Sequence, residues 1–153
     1  MSVSIIALGS DHGDDRLAFA ALEALAGREV PRGCNLHACA SPATELLALL
    51  GDTEHAILVD AMVDGGTAGR VLRCAPGDIT ARASQASSHG VSVDSVLALA
   101  SALGMLPATL TMVGITIDAE RSPHAKGLSP AVRAALPALV DHVLAAAAAG
   151  GAS

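Results

Sequence analysis

Asp15, Asp60 and His89 are the side chains best placed to do chemistry, because each stands where an apolar run gives way to a polar or glycine-containing stretch. Asp15 closes the segment Ile5-Ile6-Ala7-Leu8-Gly9-Ser10-Asp11-His12-Gly13-Asp14-Asp15, in which a buried-strand pattern breaks into glycines, carboxylates and one histidine. Asp60 ends the run Ala56-Ile57-Leu58-Val59, and His89 lies in Ser87-Ser88-His89-Gly90 ahead of an apolar helical pattern. Two carboxylates and a neutral imidazole above the carboxyl edge of a sheet make a divalent-metal site for a hard or borderline cation, with room for water or substrate. Spacing alone does not tie the three together. They are far apart and share no H-E-x-x-H signature, and the commoner fate of such residues is a helix cap or a solvated loop end. Asp14 is read as that kind of cap, which needs only a side-chain oxygen near free backbone N–H groups.

Other residues meet that standard less well. His12 is a candidate fourth ligand, although an exposed loop histidine is the more frequent case; His37, His55, His124 and His142 have no partner pattern and read as surface or strand-end residues. Ser87 and Ser88 lack a G-x-S-x-G elbow and so do not read as nucleophiles. Gly9 to Gly13 has neither the Walker lysine nor a three-glycine fingerprint, and its carboxylates would repel phosphate. Cys34 and Cys39, five apart on one strand, point to opposite faces and are not a natural pair.

The elements that must position these residues follow from periodicity. Short apolar runs predict strands at about residues 3–8, 35–40, 55–62, 69–74 and 108–117. Helical spacing predicts helices at about 15–26, 44–50, 93–103 and 129–148. Gly27 falls where a left-handed C-cap belongs, and Ser129-Pro130 reads as a Ser N-cap with Pro at the first helical position. Pro137 would kink the last helix unless a first piece ended there. Residues 76–88 are polar and aperiodic and read as loop. Alternating strands and helices predict a single-domain α/β fold: a three-layer sandwich with a mostly parallel, twisted sheet of about five strands and helices on both faces. The domain is taken as 1–149, with 150–153 as a frayed tail.

Composition narrows the function. The 153 residues are enough for one compact domain. Hydrophobic residues make up 52% of them, but Arg133, Pro137, Asp141 and His142 interrupt the Ala-rich C-terminal stretch. No membrane span is therefore expected. A net charge of −6, with nine scattered Lys plus Arg and one aromatic, provides neither a basic patch nor a stacking platform for nucleic acid. No secretory signal is evident at the start, and three cysteines without a C-x-x-C pair point to free thiols in the cytoplasm. The chain is expected to be a monomer or a weak dimer.

Five pieces, in order, resemble the nickel-iron hydrogenase maturation endopeptidases: Ile5-Ile6-Ala7-Leu8-Gly9 to Gly13-Asp14-Asp15-Arg16-Leu17; Ile57-Leu58-Val59-Asp60-Ala61; Ser88-His89-Gly90 before Val96-Leu97-Ala98-Leu99-Ala100; Leu110-Thr111-Met112-Val113-Gly114-Ile115; and Leu128-Ser129-Pro130-Ala131-Val132. The resemblance implies removal of a C-terminal extension from the immature large subunit of a NiFe hydrogenase, with nickel already seated in that partner as the recognition element. Zinc or cadmium could take the nickel's place in vitro. It also implies that Asp15, Asp60 and His89 are both the metal-interacting and the catalytic residues, acting on a metal-activated water or as general base. The Gly9 to Gly13 loop is shorter than the family's G-x-G-N loop. The family's D-G-G-T segment after the second strand is matched in position by Cys39-Ala40-Ser41-Pro42, so Asp64-Gly65-Gly66-Thr67 is a decoy. That departure points to another specificity subgroup, such as the soluble bidirectional hydrogenases, with Cys39 touching the selecting segment. The alternative is a non-catalytic nickel-sensing checkpoint or chaperone that binds the large subunit without cutting it.

Overall fold

The computed structural model describes residues 2–10, 13–63, 67–74, 93–118 and 127–151, apart from the side chains at 42, 43, 94, 150 and 151. Five strands, β1 (Val3–Leu8), β2 (Cys34–Cys39), β3 (His55–Met62), β4 (Val71–Cys74) and β5 (Thr109–Thr116), form one sheet in the order β2-β1-β3-β5-β4. The first four in that order run parallel, and β4 is antiparallel to β5. Helices α1 (Leu17–Ala26), α2 (Leu47–Gly51), α3 (Val93–Ala102) and α4 (Pro130–Gly151) cover it. This is the expected α/β sandwich.

Successive side chains of a strand point to opposite faces, so strands covered on both sides must be apolar at every position. β1 and β3 are buried along their whole lengths. On one face Ile5, Ala7, Ile57, Val59, Val113 and Ile115 pack against Leu17, Ala21 and Leu25 of α1 and Val132, Leu139 and Val143 of α4. On the other, Ile6, Leu8, Cys39, Leu58, Met62 and Met112 meet Leu46, just before α2, Leu50 of α2, and Val96, Leu97 and Ala100 of α3. Cys34 and Cys39 lie on opposite faces, as their spacing requires, and Cys34, Cys39 and Cys74 are free thiols.

The boundaries bring corrections. A tight turn, Gly13–Arg16, precedes α1, which starts at Leu17 rather than at Asp15. Gly27 has φ −91°, not a left-handed value, because the last turn of α1 tightens and its N–H reaches the Ala24 carbonyl at 3.2 Å. β4 is shorter than expected. It is held by Thr116, whose buried hydroxyl donates to the Thr67 carbonyl at 2.7 Å and accepts the Arg70 N–H at 2.9 Å. Pro137 lies inside α4 without dividing it. His55 is a strand-end residue, as expected, but a buried one, with Nδ1 2.6 Å from the Thr109 hydroxyl at the sheet's amino edge. The expected loop at 76–88 lies outside the described residues.

α4 is long and apolar enough to cross a membrane by length and composition. Its Val132, Leu139, Val140 and Val143 are buried against the sheet.

Truncating a side chain at the centre of β3 removes contacts from one whole face. Leu58→Ala is expected to lower stability by about 2–5 kcal/mol, read as a lower urea midpoint with an unchanged slope.

Candidate functional site

The carboxyl ends of the parallel strands converge on one edge, and the sequence places its acids there. Strand pairing aligns Leu8 with Cys39 and Asp60 with Gly114, with Ala7 opposite Val59 one residue earlier. Asp60 alternates with Leu58 and Met62 and so shares the face covered by α2 and α3. It is only 5% exposed. One carboxyl oxygen, Oδ1, accepts the Ala61 backbone N–H at 2.8 Å.

Burial pushes the Asp60 carboxyl well above the usual carboxylate range, the Ala61 N–H opposes that shift, and the negative charge of Asp15 adds to it. Asp15 thus lies within electrostatic reach of Asp60, although 45 positions separate them in the chain (60 − 15). The turn Gly13–Arg16 delivers it by packing on β3. Gly13 has φ +53°, the left-handed conformation that lets the chain reverse into the turn. Asp15 is half-buried, so the pair consists of one carboxylate in the sheet edge and one at its rim.

The loop that carries Asp15 closes on itself. The Ser10 hydroxyl donates to Asp15 Oδ2 at 2.7 Å, and the Ser10 backbone N–H reaches the Asp15 carbonyl at 3.3 Å. Gly9 lies so near that carbonyl that a Cβ on it would collide with the oxygen. Gly114 plays the same part for Asp60: a Cβ there would strike the Asp60 carbonyl and come within 2.9 Å of Met62 Cγ. Each carboxylate-bearing residue therefore has a glycine packed on its backbone.

Asp14 turns away from this pair. Its buried carboxylate accepts the Ser129 backbone N–H at 2.6 Å, just before α4 begins. It is a cap, as read from the sequence, but of the last helix rather than of its own, where a negative charge also complements the helix dipole. The expected Ser129 side-chain cap is not formed. Among the described residues Ser129 Oγ is buried without a hydrogen-bond partner.

Cys39 also belongs to this edge. Burial, the Glu45 charge and then the Asp60 charge push its thiol up to about 11, against a lowering contact with the Ser41 backbone. It is a neutral thiol at pH 7. His12 and His89 lie outside the described residues, and among the described residues no three His, Cys, Asp or Glu side chains form a metal-holding cluster. α3, which starts four residues after His89 in sequence, packs on the Asp60 face. Sequence reasoning missed Ser10, Gly9, Gly114 and the proximity of Cys39 to Asp60. Only Ser10 carried a local signal, a hydroxyl directly after the strand-ending glycine.

A carboxyl raised by burial favours its proton in the fold more than in the unfolded chain. The resulting loss of stability is absent below about pH 4, the unfolded value, grows as pH rises towards the folded value, and is constant above it. Asp60→Asn keeps an acceptor for the Ala61 N–H and removes the buried charge. In metal-free buffer at pH 7 it should melt above the wild type, by about 2–4 °C per kcal/mol relieved, with the gain shrinking as pH falls to about 4. Equal melting temperatures at pH 7 would contradict this account.

Comparison with solved structures places the same architecture in several proteins. The hydrogenase-maturating endopeptidase HybD from E. coli superposes with a TM-score of 0.85 at 27% identity, covering 99% of this chain and 94% of that one. An endopeptidase from Escherichia coli solved in solution matches with a TM-score of 0.87 at 26% identity and the same coverage. The [NiFe] hydrogenase maturation protease HycI from Thermococcus kodakarensis KOD1 matches with a TM-score of 0.71 over 95% of this chain and 92% of that one; at 17% identity the likeness is one of fold. No curated protein matches the sequence. Residues 39–146 match the family model of the hydrogenase maturation proteases, HycI, a span that contains Asp60 and His89 and begins after Asp15. Because that span is more than half of its 153 residues, the chain belongs to the hydrogenase maturation protease family.

Proposed function

We propose that this chain is the endopeptidase that removes the C-terminal extension from the nickel-loaded precursor of a NiFe hydrogenase large subunit, with the substrate's nickel as its recognition element. The observation that carries the proposal is the Asp15 and Asp60 pair at the carboxyl edge of the sheet, in a chain of a maturation-protease family. A buried carboxylate beside a second one is unfavourable in the free protein and becomes favourable once a cation is shared between them. The pair fits a hard or borderline divalent ion, and His89, the third donor expected from the sequence, would add a borderline nitrogen. Zinc or cadmium would fit the same donors in vitro.

When seated there, the nickel supplies Lewis acidity to the scissile carbonyl or to a bound water. Asp60, within the sheet edge, and Asp15, at its rim, are the carboxylates that would hold the metal. One carboxylate of the pair takes the proton of the attacking water and returns it to the leaving amine. Cys39 stays a spectator to acid–base chemistry, because its thiol is neutral at working pH. The free thiols fit a reducing cytoplasm.

Incubation of the purified protein with nickel-loaded precursor, followed by mass spectrometry, tests the proposal. Loss of a C-terminal peptide is expected from the wild type. Asp15→Asn, Asp60→Asn and His89→Ala should each reduce the cleavage rate by at least about 10²-fold while the variants stay folded. Wild-type rates in all three would sink the assignment. Stable binding of intact precursor would instead mark a nickel-sensing checkpoint.

A further inference from the structure

The Ser10 side chain is bonded directly to the acid pair. Its hydroxyl lies 2.7 Å from Asp15 Oδ2, a charge-assisted distance, while its backbone N–H reaches the Asp15 carbonyl at 3.3 Å. One residue thus grips Asp15 at two points, its carboxylate and its main chain. The absence of a side chain at Gly9 allows that approach, since a Cβ there would displace the Asp15 carbonyl. Asp60 is held inside a strand with an N–H donor from Ala61, whereas Asp15 stands half-buried on a short turn, and the Ser10 hydroxyl restrains the broad χ2 torsion of its carboxylate.

We infer that Ser10 is a positioning residue for the metal-binding carboxylate of Asp15, fixing the plane in which that carboxylate meets a divalent cation. The inference rests on the functional reading above. It assigns Ser10 no contact with substrate: the hydroxyl acts through Asp15, and it does so by donating a proton that a methyl cannot supply. Partners that orient a ligand in this way typically change metal affinity or activity by about 10–100-fold when removed.

The test compares wild type, Ser10→Ala, Ser10→Thr and Asp15→Asn in two assays: calorimetric titration with cadmium ion alone, and cleavage of nickel-loaded precursor. Ser10→Ala is expected to weaken cadmium binding about 10–100-fold, to lower kcat/KM in parallel, and to keep the wild-type circular dichroism spectrum. Ser10→Thr, which retains the hydroxyl, should recover most of both. Wild-type cadmium affinity in Ser10→Ala, alongside loss of binding in Asp15→Asn, overturns the role of Ser10 and leaves the site intact. Failure of Ser10→Thr to recover what Ser10→Ala loses reduces Ser10 to a packing role and also overturns it. Unchanged binding and cleavage in Asp15→Asn would overturn the reading of the site itself, and the role of Ser10 with it.

Discussion

A carboxylate buried at the end of the central strand is the constraint around which this protein is built. Asp60 sits in a strand whose every residue is hidden, beside a second acid, with the Ala61 N–H on one of its oxygens. Water would solvate such a group far better than the sheet edge does, so its place there disfavours the free fold. The surrounding apolar layers must offset that loss. They do so with two separate cores, one under α1 and α4 and one under α2 and α3, each built on branched and aliphatic side chains of β1, β3 and β5.

The same constraint explains the glycines and the turn. Bringing a second carboxylate to Asp60 requires the chain to leave β1, reverse within a few residues and enter α1 with Asp15 facing the sheet edge. Gly9 admits the Asp15 carbonyl, Gly13 takes the left-handed turn, and Ser10 ties the loop shut. Asp14, next in sequence, is used in the opposite direction, to start α4. Two adjacent acids therefore serve different purposes: one anchors the last helix to the site loop, and the other faces the site. Displacing α4 would pull on Asp14 and so on its neighbour.

Much of this was legible in the linear pattern. The five strands, the four helices, the single domain and the parallel sheet follow from apolar periodicity and from turn residues. Asp60 was recognisable because an acid ending a fully apolar strand is exceptional. What could not be read was which residues lean on one another. Gly114 looks like an ordinary strand glycine until pairing sets it beside Asp60, and Cys39 looks like a lone thiol until the order β2-β1-β3 brings its strand end near the same edge. The left-handed cap assigned to Gly27 and the side-chain cap assigned to Ser129 were both plausible locally. The first gave way to the hydrogen bond of a tightened last turn, and in the second the Ser129 hydroxyl finds no partner among the described residues while its N–H goes to Asp14.

The sequence by itself determined the fold class, the positions of the strands and the candidacy of Asp15 and Asp60, because these depend on burial patterns and backbone preferences expressed within a few neighbouring residues. Only the tertiary structure decided that Asp15 and Asp60 meet, that Asp14 caps a helix 115 residues away, and that Ser10 grips Asp15. Strand order, register and the turn Gly13–Arg16 settle those contacts, and they are set by packing across the whole domain. The acids could be found from their types. Their division of labour is a property of the fold.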